Sequence, residues 1–360
     1  MPQELQKSYP IKKFSEGSVK KIVCGNSHCL LQMYNGQLYG FGGNEEGQLG
    51  LKVSDSTRYI DSPKKISINV NNLNRFIIKD IAAGDNFSLV LIRQDEVDYI
   101  VQFSLDKTDK YRIKSSEHIN VRVDYSPSNS SEIGEIENIY AFGQRKMFIT
   151  SQQKIFVGGI DFKNNDLEEY IELKGFGGSD SQGNKRKVTS FHMGMNHCVI
   201  LADDGCLYGL GDNTYGELGN KKMKCDLFQK IPTNFESKIK EISSGARHLL
   251  ILLENGDLYC MGDNSEGQCF SYSLRLSEPI KVELETNLKV VHCFSGTTHN
   301  LIVLENGNVM TWGDAFGGKL GNGEEFFSQP FPQVVLRLKQ KEIYKVGLGF
   351  QMSVIATGKV

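Results

Sequence analysis

Residues 242–252 read ISSGARHLLIL, and residues 256–270 follow shortly after as GDLYCMGDNSEGQCF. Both strings contain short apolar runs bounded by glycine, asparagine or aspartate, which is typical of short β-strands joined by tight turns. The first string recurs along the whole chain, with separations of 59, 59, 51, 51, 51 and 53 residues between its central glycines. These glycines are Gly25, Gly84, Gly143, Gly194, Gly245, Gly296 and Gly349. The chain is therefore built from seven copies of one repeat.

The second string recurs in four copies, each beginning 11 residues after the repeat glycine, at Gly36, Gly205, Gly256 and Gly307. An asparagine or aspartate precedes each of these glycines, which predicts a hairpin turn between two strands. Further strands are predicted in the run before each repeat glycine and in segments such as PIKVEL from Pro279. Four strands about every 51 residues predict one blade of a β-propeller. Copies two and three depart most from the pattern.

Together the two strings resemble the repeat of the regulator of chromosome condensation family. The resemblance covers roughly the whole chain and implies an all-β, seven-bladed propeller, which we expect to form a single domain over residues 1–360. The last copy stops soon after Gly358, so we expect its blade to be incomplete at that terminus. Residues 8–14 resemble the strand before a repeat, and we expect them to supply the missing strand and close the ring.

Charge and composition argue against several classes of function. Lys and Arg total 41 against 43 Asp and Glu, a net charge of -2, which argues against a nucleic-acid partner. No apolar run approaches the ~20 residues that span a bilayer, so we expect no membrane insertion. The first residues lack the apolar core of a secretion signal. We therefore expect a cytoplasmic or cytoskeleton-associated protein, with the nucleus as the alternative, whose eight cysteines are small buried hydrophobes.

Four histidines stand three residues after a repeat glycine, at His28, His197, His248 and His299. Repeated blades keep equivalent residues apart, whereas metal ligands must converge. We therefore interpret these histidines as hydrogen-bonding groups within each blade and expect no metal site. Glycine-rich strings such as GFGGNEEG from Gly40 are interpreted as turns, because a dinucleotide site needs a following helix. No catalytic constellation is present, so we expect neither a cofactor nor enzymatic activity.

The residues directly after the repeat glycines vary between copies, and the family resemblance places them around the face that binds partners. We predict that they contact a protein partner, with a solvated polar rim as the alternative. The predicted residues are Asp85, Asn86, Arg145, Lys146, Asn196, Arg247, Thr298 and Phe350.

Two other segments are candidate sites. The stretch from Gly175 to Lys187, GFGGSDSQGNKRK, predicts a mobile exposed loop. If the protein is an exchange factor, we expect this loop to disturb the nucleotide site of a GTPase, with Lys185, Arg186 and Lys187 meeting an acidic surface. Its alternative interpretation is a tolerated insertion. The segment from Glu324 would expose Phe326 and Phe327 only if it stands away from the blades, and packing between blades is the alternative.

Two functions stay open. The propeller could be a scaffold that binds a protein partner within a larger assembly, which needs nothing beyond the fold. The alternative is a guanine-nucleotide exchange factor for a Ran-type small GTPase, as the family resemblance allows.

Overall fold

A computed structural model describes most of the chain. The described residues are 14–15, 17–68, 75–104, 121–125, 133–163, 165–176, 186–220, 222–323, 326–339 and 341–358. They form two compact units, one within Pro10–Leu173 and the other within Lys174–Val360. We call these the first and the second unit and describe each by itself.

The first unit contains three four-stranded antiparallel sheets, in which each strand pairs with the next along the chain. The first sheet comprises β1 (Val19–Cys24), β2 (His28–Met33), β3 (Leu38–Gly43) and β4 (Tyr59–Ile66). The second comprises β5 (Ile77–Ala83), β6 (Ser88–Gln94), β7 (Val97–Phe103) and β8 (Val121–Tyr125). The third comprises β9 (Ile136–Phe142), β10 (Arg145–Thr150), β11 (Ile155–Ile160) and β12 (Asp166–Glu172).

The second unit continues the pattern with three four-stranded sheets and one of two strands. The fourth sheet comprises β13 (Val188–Met193), β14 (His197–Ala202), β15 (Leu207–Asp212) and β16 (Lys224–Lys230). The fifth comprises β17 (Ile239–Ser244), β18 (His248–Leu253), β19 (Leu258–Asp263) and β20 (Arg275–Lys281). The sixth comprises β21 (Val290–Ser295), β22 (His299–Leu304), β23 (Val309–Gly313) and β24 (Gln329–Val334). The seventh comprises β25 (Ile343–Leu348) and β26 (Ser353–Thr357).

Helix in the described part comprises the single residue Ile133 and three short 3-10 turns, Asp55–Thr57, Phe316–Gly318 and Leu336–Leu338. None of the described helices is long and apolar enough to cross a membrane. The predicted all-β class and the four-stranded repeat are thus confirmed, and we call each sheet a blade.

The predicted number of complete blades is wrong. Among the described residues six sheets have four strands and the seventh has two, so six complete blades are present where seven were predicted. The predicted closing strand, residues 8–14, lies outside the described residues except for Phe14. Ring closure and the single domain over 1–360 remain predictions.

The apolar core lies between successive blades rather than inside one of them. In the first unit, Leu30 and Leu38 of the first blade pack with Val90 and Val101 of the second. In the second unit, Trp312 of the sixth blade joins a cluster from the fifth blade. Side chains of one pleated face therefore find their apolar neighbours on the next blade, as in other stacked repeats.

The hairpin turns between the second and third strands hold the predicted glycines in left-handed conformations. Gly36 has φ +80° and Gly256 has φ +92°, and the neighbouring asparagine side chain accepts a bond from the backbone two residues on, as from Gln37 to Asn35. The second blade lacks this turn sequence. Asp95 (φ +50°) and Glu96 (φ +65°) stand there instead, in a conformation that costs non-glycine residues energy.

Candidate functional site

Two loops of every four-stranded blade lie at the same end of its sheet. Because the strands alternate in direction, the turn from the first to the second strand and the loop from the third to the fourth share that end. In the fifth blade these are residues 245–247 and 264–274. We call this the glycine-turn end, since it carries the repeat glycines. The hairpins between second and third strands lie at the opposite end.

Backbone hydrogen bonds tie the glycine turns of successive blades together within each unit. In the first unit the Asp85 amide donates to the carbonyl of Gly143 at 2.8 Å. In the second unit the Met195 amide donates to Ala246 at 2.8 Å, and the Ala246 amide to Thr297 at 3.0 Å. The residues just after the glycines are therefore held on a rigid frame, which lowers the entropy cost of binding.

The repeat glycine is needed for space in most copies. A Cβ atom on Gly245 would lie 2.1 Å from Cε1 of His248 and 2.6 Å from the carbonyl oxygen of Gly296. Only glycine avoids this overlap. Gly143 of the third copy differs, because it has φ +60° and open space around it.

The four repeat histidines each bond to a side chain of the next blade. Their Nε2 atoms lie within 2.8–2.9 Å of these partners: His28 with Ser88, His197 with Ser244, His248 with Asn300 and His299 with Ser353. The predicted bonding within each blade is therefore wrong, because the partner belongs to the neighbouring blade. Among the described residues no group of three or more His, Cys, Asp or Glu could hold a metal ion.

Burial keeps the imidazoles of His28, His248 and His299 neutral. It lowers the pKa of His28 to about 4 and that of His248 to about 4. The Ser88 hydroxyl donates to the carbonyl of Gln48 at 2.7 Å, so it accepts the bond from the imidazole N–H of His28. The histidines join blades and do not face a ligand.

The predicted contact residues of the first unit are mostly polar. Asp85 and Asn86 are exposed. Lys146 is half-buried, with its Nζ 5.7 Å from the centre of the Phe87 ring. This part of the glycine-turn end is charged and hydrated, with Glu45 also exposed.

Arg145 is not at the surface. It is only 4% exposed, its guanidinium donates to the carbonyl of Asp161 at 2.9 Å, and it lies 5.3 Å from the Phe162 ring. In the third copy β10 already begins at Arg145, which pairs with Phe142. The turn is shorter than in the other copies and draws this side chain into the blade, so the prediction of Arg145 as a contact is wrong.

In the second unit, Asn196 and Thr298 are half-buried polar residues. The carbonyl of Asn196 accepts a bond from the Asp212 amide at 2.8 Å, and the Thr298 hydroxyl donates to Asp314 at 3.0 Å. Both therefore connect a glycine turn to the third strand or loop of the same blade. Asn196 and Thr298 therefore stabilise the glycine turns rather than project from the surface.

Arg247 forms a cluster with residues of the preceding blade. Its guanidinium lies 4.6 Å from the centre of the Tyr215 ring and 3.8 Å from the sulfur of Met195. Met195 is 43% exposed, and Arg247 and Tyr215 are half-buried. An arginine stacked on an aromatic ring has its guanidinium fixed in one orientation, and its N–H groups remain available to donate to a partner.

Phe350 belongs to a second cluster at the same end. It is 44% exposed, and its ring lies 5.6 Å from Nζ of Lys319, which donates to the Phe350 carbonyl at 3.2 Å. Lys319 is buried and also bonds to Asp314. The Asp314 carboxylate accepts a bond from the Phe316 amide at 2.9 Å, and Phe316 is 62% exposed. One ion pair therefore supports two exposed phenylalanines.

Glu217 lies beneath the Arg247 cluster and is 1% exposed. Its carboxylate accepts a bond from the Tyr215 amide at 2.8 Å. Burial raises the pKa of Glu217 to about 7; the nearby Asp212 adds to this shift and Arg247 opposes it. In the first and fifth copies Gln48 and Gln268 make the same bond to the backbone two residues before.

Two residues of this end, Tyr215 and Phe316, were not predicted from the sequence. Both lie in the loop between the third and fourth strands, at two positions that the other copies of the second string fill with Glu, Gly, Thr or Ser. An aromatic residue at a position that is small or acidic in the other copies was the signal that could have identified Tyr215 and Phe316. The loop repeats so regularly that it was interpreted only as a turn.

The predicted loop site is not brought together with these residues. Lys185 lies outside the described residues, as do all of 177–185. Arg186 lies 4.9 Å from the Tyr208 ring and 3.7 Å from Asp204, and the Lys187 amide donates to Asp203. Asp203 and Asp204 belong to the hairpin at the opposite end of the fourth blade.

Gly175 has φ +96° and lies beside Leu227, so this part of the loop lies on the fourth blade.

The third candidate segment contains Phe326 and Phe327. Phe326 is 67% and Phe327 74% exposed, so this pair does face solvent, as one of the two interpretations required.

Comparison with known proteins agrees with this architecture. The model of the RCC1-like domain family matches residues 2–355. The ultraviolet-B receptor UVR8 of Arabidopsis thaliana is 26% identical over 91% of this chain, which spans 60% of the receptor's length.

Two solved structures show the same β-propeller fold. Human WBSCR16 superposes with a TM-score of 0.77 at 18% identity, covering 98% of this chain and 89% of that one. Prp20p from Saccharomyces cerevisiae gives a TM-score of 0.75 at 19% identity, covering 98% of this chain and 85% of Prp20p.

Proposed function

This chain belongs to the RCC1-like domain family, and on that premise we propose that it is a protein-interaction scaffold whose glycine-turn end binds a protein partner. The observation that carries the proposal is the Arg247 cluster, in which an oriented guanidinium lies beside the half-buried Tyr215 and the exposed Met195. Arginine and tyrosine are among the residue types that most often dominate binding energy at protein interfaces.

Support also comes from the second cluster of the same unit. Phe316 and Phe350 are exposed aromatic side chains. Their backbone is held by the Asp314–Lys319 pair. Rigid aromatic anchors lose little entropy on binding, and this favours a lasting complex.

The first unit contributes a different chemistry at its own glycine-turn end. Asp85 and Glu45 are exposed carboxylates, and Asn86 is a neutral polar group. Exposed charges of this kind steer a partner and set its orientation, but add little affinity. We therefore propose that the binding energy centres on Arg247, Tyr215, Phe316 and Phe350.

A charge reversal tests this surface. Arg247→Glu should reduce the partner captured from cell extract by about tenfold or more, a loss of about 1.4 kcal/mol. Lys238→Glu is the matched control, since Lys238 is exposed just before the fifth blade's first strand, at the opposite end. Equal capture by both variants, with unchanged melting temperatures, would refute the proposed surface.

Exchange activity is the alternative within the same family. The structure of Prp20p was described together with its binding properties to Gsp1p and histones. An exchange factor would release guanine nucleotide by binding the nucleotide-free GTPase more tightly. Fluorescent nucleotide release from a panel of small GTPases, including a Ran-type one, separates the two functions. Strong acceleration that Arg247→Glu abolishes would establish exchange, and unchanged release would favour the scaffold.

The location in the cell is a further proposal. We propose the cytoplasm or the cytoskeleton, with the nucleus as the alternative. Imaging of a fluorescently tagged chain tests this directly, and an exclusively extracellular or organellar signal would contradict it.

A further inference from the structure

The fifth copy breaks the repeat at one position. Residues 267–270 read GQCF, whereas the first, fourth and sixth copies end this string in glycine, at Gly50, Gly219 and Gly321. Those three glycines have φ +64°, +61° and +67°, and Phe270 has φ +54°. A bulky residue in this conformation is strained, and such strain persists where the position has another use.

The Phe270 ring forms one wall of a cavity at the seam between the fifth and sixth blades. It meets the ring of Phe331 edge to face, with 5.4 Å between their centres. The cavity has a volume of about 110 Å³, and its lining is completed by Glu283, Leu284, Glu285, Pro332 and Gln333. A closed apolar cavity of roughly 150 Å³ holds a whole benzene ring, so this smaller cavity has room for part of a bulky apolar side chain.

Phe331 is exposed on the outer strand β24, with 51% of its surface accessible. By strand register the same position holds Glu278 in the fifth blade, Ser62 in the first and Leu227 in the fourth. Of these four blades, therefore, only the sixth presents an aromatic side chain here, and only the fourth offers another large apolar one.

The seam is firmly built. A Cβ atom on Gly267 would lie 2.6 Å from Cα of Pro330, so the loop of the fifth blade and β24 are in close contact. Ser328 also bonds to the carboxylate of Glu266. Both walls of the cavity are thus held in place before any ligand arrives.

Two features define what the cavity would accept. β24 contains Pro330 and Pro332, which lack N–H donors, so its edge is poorly suited to pairing with an added strand. Recognition must then come from side chains. Glu283 and Glu285 are exposed at the rim, and the nearby Lys281 is paired with Asp257 at 2.9 Å.

We propose that this seam is a second docking site, which binds a segment of a protein partner carrying one bulky apolar side chain flanked by lysine or arginine. The apolar side chain packs in the cavity against the edge-to-face pair of Phe270 and Phe331. The basic neighbours meet Glu283 and Glu285. The site shares the loop of Phe270 with the glycine-turn end, but its lining contains no residue of the Arg247 or Phe350 clusters and does not depend on them.

A phage-displayed library of random dodecapeptides is the probe. We expect panning on the full chain to enrich peptides with an aromatic or large aliphatic residue next to Lys or Arg. Synthetic copies of the enriched peptides should bind Phe331→Ser at least tenfold more weakly, and Glu283→Lys/Glu285→Lys at least tenfold more weakly. Leu227→Ser, at the equivalent exposed position of the fourth blade, is the matched control and should bind normally.

The outcomes decide the proposal. Failure to enrich any peptide above an unrelated control protein, or peptides that Phe331→Ser binds as well as the wild type does, overturns it. If Phe331→Ser weakens peptide binding but Glu283→Lys/Glu285→Lys does not, the proposed lysine or arginine of the partner segment is refuted. Because Phe331 is exposed, melting curves should show both variants folded, and Arg247→Glu should leave peptide binding intact. That last control separates this site from the proposed function.

Discussion

The Nε2 atom of His28 lies 2.9 Å from the hydroxyl oxygen of Ser88, so a side chain of the first blade is bonded to the second. His248 and Asn300 repeat this relationship between the fifth and sixth blades at 2.8 Å. Buried polar bonds of this kind fix how successive repeats stack, because an unpaired partner would be costly.

Removal of one histidine should therefore destabilise the stack. His248→Ala leaves a cavity and removes the donor to Asn300, and we expect the free energy of unfolding to fall by about 2–4 kcal/mol. Urea and thermal unfolding measure this, with the exposed Lys238→Ala as control. Equal melting of both variants would contradict the role of the interblade bond.

The histidines also predict acid sensitivity. Burial lowers the pKa of His28 and His248 to about 4, whereas an unfolded histidine titrates near 6.5. The unfolded chain thus binds more protons between these values, and stability falls as the pH drops from 6.5 to 4, by roughly 3 kcal/mol per histidine. His28→Gln/His248→Gln should be less stable at pH 7.5 but decline less steeply on acidification. Parallel declines in the melting temperature would contradict this account.

Glu217 predicts the opposite pH dependence. Burial raises its pKa to about 7, above the ordinary value near 4.3, so its contribution to stability is lost as the pH rises through 7. Glu217→Gln introduces the residue found at Gln48 and Gln268. At pH 8 we expect the free energy of unfolding of this variant to exceed that of the wild type by roughly 1–3 kcal/mol. The gain should vanish near pH 4.5. A Glu217→Gln variant less stable than the wild type at pH 8 would disprove the argument.

The hairpin of the second blade offers a stabilising substitution. Glu96 has φ +65°, so Glu96→Gly should raise the free energy of unfolding by about 1 kcal/mol. Its surface ion pair with Arg93, at 3.5 Å, offsets little of this. The reverse change in the first blade, Gly36→Ala at φ +80°, should destabilise by about the same amount. Thermal unfolding of both variants checks the pair, and shifts of the same sign would refute it.

Local signals in the sequence were sufficient for the blades. The repeat glycines and the asparagine–glycine turns placed most strands, because tight turns depend on neighbouring residues alone. The partners of the histidines were not predictable, since Ser88 lies 60 residues after His28 and only the stacking of blades brings them together.

Candidate site residues were predicted less well for related reasons. Arg145 follows a repeat glycine like Arg247, yet the shorter turn of the third copy buries it. Phe270 was visible as a departure from glycine, but its strain becomes evident only from φ +54°. Side-chain exposure at a repeated position depends on turn geometry, which the repeat spacing does not report.

Site-specific photocrosslinking tests the central claim most directly. A benzoylphenylalanine introduced at Phe350 or Phe316 should crosslink one protein partner in cell extract, and Arg247→Glu should abolish that crosslink. The same probe at Glu254, in the hairpin at the opposite end of the fifth blade, should leave that partner unlabelled. Crosslinking of the partner from Glu254 and not from Phe350 or Phe316 would contradict binding through the glycine-turn end.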